Sequence, residues 1–257
     1  HSWLSIESSR GCVNRCSYCS TPYQRNWRPL SAEHFVHRIE AYIPYLEKVL
    51  TGKFVFIDDS FIIDVNRARK IAGLLRERQI DIKAIWNGHV TELFEEEMLS
   101  ELAPYTEVIL VGAESFHEET LKKIGKHFTA DDIMKGINVA MKLDLDRKIL
   151  FSFIIGFPWQ NKEMIIEEID KIYLLISISG ACAAINWLIL NPGSHLWNEF
   201  YRKKETPFCN YHKLYEEWKK EVFPLSEEEV EEIRSYIKSL QDTIPGGEYR
   251  FRINDFR

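Results

Sequence analysis

Cys12, Cys16 and Cys19 lie within GCVNRCSYCS, residues 11–20, in a 257-residue chain that has five cysteines in all. A structural zinc site normally closes four ligands, and neither Cys182 nor Cys209 stands at a spacing that supplies the fourth convincingly. Three thiolates instead suit a 4Fe-4S cluster in which one iron is left open. An open coordination position is where a metal centre takes a substrate or cofactor ligand. Three structural cysteines, or an incidental metal site, are the plainer alternatives.

The elements that must position these thiols can be read from hydrophobic period. Apolar, β-rich runs recur as WLSIES (3–8), KFVFID (53–58), DIKAIWN (81–87), EVILVG (107–112), KILFSFIIG (148–156) and CAAINWLIL (182–190). Amphipathic helices between them open at Ser31, Asp64, Thr129 and Asn161, residue types whose side chains accept from the first free amides of a helix. Pro44 predicts a kink or break in the first helix. Continuous apolar runs, each followed by a helix, indicate parallel strands in a (β/α) barrel or an open doubly wound sheet. Both architectures place their chemistry at the C-terminal strand ends, and the three cysteines follow the first strand. Beyond residue 206 the alternation stops, and YHKLYEEWKKEVF and SEEEVEEIRSYIKSLQD read as two appended helices. The expected fold is α/β: a partial (β/α)6 barrel over residues 1–205 with a helical C-terminal extension over 206–257.

Composition narrows the function classes. An apolar content of 45% supports one large core. Thirty-three basic against thirty-nine acidic residues, with the signs mixed, give a net charge of -6 and no electrostatic support for nucleic-acid binding. An odd cysteine count with three clustered does not read as a secreted disulfide framework, so a reducing cytoplasm is expected. No signal peptide opens the chain, and its start at His1 rather than methionine suggests removal from a larger protein. Residues 172–190 are uncharged, yet Ser177, Ser179, Gly180 and Asn186 break them, which predicts a helix end followed by a buried strand rather than a membrane span.

The C-x3-C-x2-C spacing, with aromatic Tyr18 before the last cysteine, resembles the signature of the radical S-adenosylmethionine (SAM) superfamily. The resemblance implies that the open iron is chelated by the amino and carboxylate groups of SAM, and that an electron from the cluster cleaves SAM to a 5'-deoxyadenosyl radical. It extends over about residues 3 to 200. In FIDDSF, Asp58 and Asp59 fall where the family recognises the methionine amino group, a cation that wants carboxylate or carbonyl acceptors. In VGAES, Glu114 resembles an acidic contact to SAM. SFIIGFPWQ, with Ser152, Ile155, Gly156 and Phe157, resembles the strand whose backbone borders the adenine, and NPGSHLW resembles an architectural turn after the sixth strand.

The order of these motifs resembles the branch that contains cobalamin-dependent radical SAM enzymes and tRNA methylthiotransferases. With cobalamin, the implied reaction is methylation of an unactivated carbon, making the chain a methyltransferase whose cobalamin domain lies outside it. A cobalamin-independent epimerase or rearrangement enzyme is the alternative, in which Cys209 of PFCNYH donates hydrogen to a substrate radical; a methylthiotransferase-like enzyme is another. The implied partners are a peptide or small-molecule substrate and a flavodoxin or ferredoxin electron donor, with no membrane. The histidines form no HxxxH or HExxH pattern. The tryptophans read as core, with a substrate cavity as the second use. The final EYRFRINDFR, three arginines among aromatics, reads as a solvated tail, with contact to an acidic substrate as its alternative.

Overall fold

The structure is a computed structural model that describes residues 2–20, 26–200 and 211–254. Seven strands form one sheet: β1 (Leu4–Ile6), β2 (Phe54–Phe56), β3 (Ala84–His89), β4 (Thr106–Glu114), β5 (Ile149–Ile155), β6 (Cys182–Trp187) and β7 (Phe251–Asn254). Their spatial order is their chain order, and each is parallel to its neighbours. β1 and β7 do not pair with each other, so the barrel is open.

Parallel neighbours need crossovers, and helices supply them. α1 (Ala32–Tyr42) follows β1, α2 (Val65–Glu77) follows β2, and α3 (Glu96–Leu102) follows β3. α4 (Glu118–Lys123) and α5 (Ala130–Lys142) follow β4, and α6 (Lys162–Ile178) follows β5. Between β6 and β7 run α7 (His195–Phe200), α8 (Tyr211–Glu221) and α9 (Glu227–Gln241). The four expected cap residues all act as caps: Ser31 accepts from the His34 amide, Asp64 from Arg67, Thr129 from Asp132 and Asn161 from Met164. At Pro44 the α-helix gives way to a 3-10 stretch, Ile43–Lys48, because the ring removes an amide donor. The uncharged stretch of residues 172–190 divides into the end of α6 and the strand β6, and no helix among the described residues is long and apolar enough to cross a membrane.

One face of the sheet makes the core. Along β5, Ile149, Phe151, Phe153 and Ile155 are buried while Leu150, Ser152 and Ile154 between them are only partly covered. This period of two turns the aromatic side chains toward the helices and leaves the other face to line the barrel interior. Phe35, Phe56 and Phe61 pack ring against ring where α1 meets β2, with centroids 4.9–6.1 Å apart. Trp86 and Trp187 are buried in the same core.

The two expected C-terminal helices are present as α8 and α9, and only the last segment departs from the expected solvated tail. After α9 and a helical turn, Gly247–Arg250, the chain enters the sheet as β7, in register Ala183 to Phe251, Ala184 to Arg252, Ile185 to Ile253 and Asn186 to Asn254. Phe251 is fully buried. The Arg250 guanidinium donates to the carbonyls of Ile176, Ser179 and Ala181, at 2.5, 2.6 and 3.2 Å from Nη2. These acceptors include unsatisfied carbonyls at the C-terminal end of α6, where a cation is favoured. Arg250, one of the arginines that made the segment look solvated, is therefore part of what docks it.

A second buried device closes the β3 end. Glu92 accepts from the His89 amide at 2.8 Å and from the Ser60 hydroxyl at 2.9 Å, joining the ends of β2 and β3. Burial pushes its carboxyl pKa up to about 7, against the opposing hydrogen bonds from His89 and Ser60 and the charge of Lys126.

Two outcomes follow. Arg250→Ala is expected to cost about 2 kcal/mol in urea unfolding and to raise amide exchange selectively over residues 251–254, because it removes charge-assisted bonds to buried carbonyls. Glu92 holds its proton more tightly in the folded chain than in the unfolded one, so its contribution is fully present below pH 4.5 and is lost as pH rises through about 7. Glu92→Gln, which can accept from His89 and donate to Ser60, is expected to flatten that decline and to be more stable than the parent at pH 8 by on the order of 3 kcal/mol.

Candidate functional site

The C-terminal strand ends surround a cavity of about 460 Å³. Cys12, Cys16 and Cys19 line it together with Tyr18, Asp59, Asn87, Glu114, Lys126 and Ser152. The cysteines lie on the excursion between Ser9–Arg10 and Arg28–Pro29, two short segments that pair antiparallel and so tie the loop off at its base. The loop is held at its middle as well. The Ser17 amide donates to the Ile124 carbonyl at the end of α4, and the Ser17 carbonyl accepts from the Leu196 amide of α7, both at 2.9 Å. Gly125 permits this approach: its φ is +76°, and a Cβ there would stand 3.2 Å from the Arg15 carbonyl. All three thiols are free of disulfides.

The structure separates the two adjacent carboxylates that the sequence left equivalent. Asp58 is buried and accepts from the Ser8 amide (3.1 Å), the Ser8 hydroxyl (2.7 Å) and the Ser9 hydroxyl (2.5 Å). Its own carbonyl accepts from Asn87 at 2.9 Å. The Asp58 carboxylate is thus committed to holding the entrance of the cysteine loop, and it does not line the cavity. Asp59 does line it. Burial raises the Asp59 carboxyl above its ordinary pKa, with Asp58 and Glu7 adding to the rise and the Gly11 amide opposing it.

Glu114 closes β4 in an unusual backbone conformation, with φ at +64° and a register irregularity between Gly112 and Glu114. A non-glycine residue persists there only where its surroundings hold it. Its carboxylate accepts from the Tyr18 hydroxyl at 2.6 Å and pairs with Lys126 at 3.2 Å, the two side chains being 8% and 5% exposed. Lys126 also donates to the Gly112 carbonyl. A Cβ at Gly112 would stand 2.5 Å from the Glu114 carboxylate, so this position needs glycine. Behind it, buried Glu168 of α6 accepts from the Ser115 hydroxyl at 2.7 Å and the Phe116 amide at 2.5 Å, which fixes the turn leaving Glu114. Burial pulls the Lys126 pKa down, but Glu114, Cys16 and Cys12 outweigh it and hold Lys126 above its ordinary value, as a cation. Burial pushes the Cys16 thiol up, opposed chiefly by Lys126. Burial, with Glu114 and Cys16 beside it, pushes the Tyr18 hydroxyl well above its usual range.

At the end of β5 only Ser152 of the expected residues reaches the cavity. Ile155 and Phe157 are fully buried in the core, and a Cβ on Gly156 would meet the Phe223 ring. The amides of Gly156 and Phe157 donate to the Gln160 side-chain oxygen at 2.8 and 3.0 Å. Ile155 ends β5, Gly156 and Phe157 form a turn braced from within by Gln160, and none of the three lines the cysteine cavity; the adenine contact expected of their backbone is a proposal. The tryptophans do not line it either. Cys209 lies outside the described residues. Sequence reasoning missed Lys126, Asn87, Asn186 and Asn254 and gave Arg252 only as the alternative to a solvated tail; all five are in the cavity wall. Lone amides and cations carry no motif, and of these residues only Asn87 and Asn186 stood on strands that the sequence had marked.

A 4Fe-4S cluster fits these residues. Cluster thiolates each take a different iron, so they line a wall rather than meet at a point. Lys126, buried beside Cys16, offsets the negative charge that such thiolates bring into a low-dielectric site.

Comparisons with known proteins agree with this geometry. The Radical SAM superfamily profile matches residues 6–172. The chain is 26% identical over 185 residues to the tRNA-2-methylthio-N(6)-dimethylallyladenosine synthase of Petrotoga mobilis (strain DSM 10674 / SJ95), covering 67% of this chain and 40% of that protein. It is 27% identical over 168 residues to the ribosomal protein uS12 methylthiotransferase RimO of Carboxydothermus hydrogenoformans (strain ATCC BAA-161 / DSM 6008 / Z-2901), covering 62% and 37%. The chain thus spans less than half the length of these curated relatives. In fold it is similar to the radical S-adenosylmethionine methyltransferase TsrM from Kitasatospora setae, solved with cobalamin and a [4Fe-4S] cluster, at a TM-score of 0.70 and 13% identity over 99% of this chain and 53% of that one. It is also similar to the cobalamin-dependent S-adenosylmethionine radical enzyme OxsB, at a TM-score of 0.59 and 22% identity over 66% and 26%. With its cysteine loop, open parallel barrel and a profile match over more than half its length, the chain belongs to the radical SAM superfamily.

Proposed function

We propose that this chain binds and reductively cleaves S-adenosylmethionine. The observation that carries the reading is the convergence of Cys12, Cys16 and Cys19 with Asp59, Tyr18, Glu114 and Lys126 on one cavity at the C-terminal strand ends. A 4Fe-4S cluster held by the three thiolates supplies the electron and the open iron for that cleavage. The protein supplies orientation and charge. Asp59, unlike Asp58, lines the cavity and is our candidate acceptor for the amino group of SAM. The Glu114–Lys126 pair, with Tyr18 donating to Glu114, holds a fixed dipole beside Cys16 that needs no reorganisation when a charged ligand arrives. The reductant is expected to be a flavodoxin or ferredoxin.

Of the finer reactions, cobalamin-dependent methylation of an unactivated carbon is our reading, supported by the fold likeness to TsrM over nearly the whole chain. Transfer of a methylthio group is the second reading, favoured by the curated relatives. Metal analysis of the protein isolated from its native source separates them: cobalt supports the first, and iron and sulfide in excess of one cluster without cobalt supports the second.

The central test is anaerobic. Chain reconstituted with iron and sulfide, reduced with dithionite and given SAM is expected to yield 5'-deoxyadenosine by mass spectrometry, and the Cys12→Ala, Cys16→Ala, Cys19→Ala triple variant to yield none. Absence of a cluster in the parent chain would sink the reading. Asp59→Asn is expected to weaken SAM binding about tenfold with iron content retained, the scale of one charge-assisted hydrogen bond. Asp58→Asn is expected instead to lower the melting temperature and the iron content together.

A further inference from the structure

The cavity wall away from the cysteine loop has a chemistry that SAM cleavage does not explain. Parallel pairing sets Gly112, Ser152, Ala184 and Arg252 in one cross-strand row over β4, β5, β6 and β7. All four line the cavity. The first three are small, so the row is an open floor that ends at a guanidinium. Arg252 makes no ion pair or hydrogen bond among the described residues, whereas Lys126, the other cation of the cavity wall, is already paired with Glu114.

Beside this row runs a directed hydrogen-bond chain. Asn254 donates to the Asn186 side-chain oxygen at 2.6 Å, and Asn186 donates to the Ser152 hydroxyl at 3.0 Å. A serine hydroxyl that accepts retains its own proton to donate. Asn254 stands two residues after Arg252 on β7, and both belong to the face that lines the cavity. The wall therefore presents an exposed, uncommitted cation and a hydroxyl donor that accepts from Asn186.

We infer that β7 and its partners form a substrate subsite for a carboxylate-bearing molecule, held by Arg252 with Ser152 as the second donor. The inference rests on the SAM-cleaving reading for what happens next to the bound molecule, though not for the binding itself. One planar guanidinium with neutral amides and a hydroxyl matches the two acceptor oxygens of a carboxylate. A phosphate, with more charge and more acceptors, would call for additional cations.

The test uses the reconstituted chain with SAM present and three probes followed by ligand-observed NMR: glutarate, its neutral analogue glutaramide, and inorganic phosphate. Glutarate is expected to bind more tightly than either other probe. Arg252→Gln is expected to weaken glutarate at least about tenfold, and by more than it weakens SAM, with partial recovery in Arg252→Lys. Asn254→Asp, at an exposed position of the same strand, is expected to weaken glutarate by repulsion. Equal binding of glutaramide, tighter binding of phosphate, or glutarate affinity unchanged in Arg252→Gln would each overturn the subsite. So would equal losses for SAM and glutarate, which would assign Arg252 to the cofactor. Arg252-dependent glutarate binding in a chain that makes no 5'-deoxyadenosine would keep the subsite and refute SAM cleavage.

Discussion

The structure depends most on the Asp58 carboxylate. One buried charge gathers the Ser8 amide and the hydroxyls of Ser8 and Ser9, and so fixes where the chain leaves β1. The Ser8 carbonyl then accepts from the Leu30 amide at 2.9 Å and from Arg67 at 3.0 Å, which brings the far side of the cysteine loop back to the same point. Arg67 also donates to the Leu30 carbonyl at 2.8 Å and lies over the Trp27 ring. A loop of this length would otherwise sample many conformations, and fixing its two ends removes most of that freedom before any ligand is bound. Burying a carboxylate is costly without donors, and three donors with Arg67 near by are what make it tolerable here.

Charge in the cavity is arranged on the same logic. Three thiols, Asp59 and Glu114 would together repel one another as they ionise. Lys126 relieves that repulsion from a position covered by protein, where a cation acts through a lower dielectric than a surface lysine would. The strained backbone of Glu114 belongs to this arrangement. Gly112 gives its carboxylate room, Glu168 pins the turn behind it, and Tyr18 reaches it from the cysteine loop. Three segments remote in sequence thereby converge on one side chain.

The sequence disclosed the periodic and local features well. Six strands, four helix caps and the break at Pro44 rest on hydrophobic period and on short-range chemistry, and the cysteine spacing is itself short-range. It was silent where tertiary geometry decides. Asp58 and Asp59 are adjacent and chemically alike, and only the donors folded around them, Ser8 and Ser9 for Asp58, tell the loop base from the cavity. The run FRIN is too short, inside the arginine-rich EYRFRINDFR, to read as a buried strand, and its neighbour Arg250 finds its partners only in the carbonyls at the end of α6 and beyond it. Lys126 follows α4 with no pattern around it, and its meaning comes from the Glu114 it faces.

The docking of β7 also bears on the order in which the site assembles. Asn254 reaches back 68 positions to Asn186, and the pairing waits on α7, α8 and α9 in between. Contacts of such separation carry a loop-closure cost that nearer pairings do not, so they form late. The loop with the cysteines is anchored near the beginning of the chain and is shaped by β1 and β2. Its middle waits longer still, because Ser17 meets Leu196 and Tyr18 meets Glu114 across wider separations than Asn254 and Asn186, so the cysteine wall and the β7 wall reach their final geometry together, at the end of assembly.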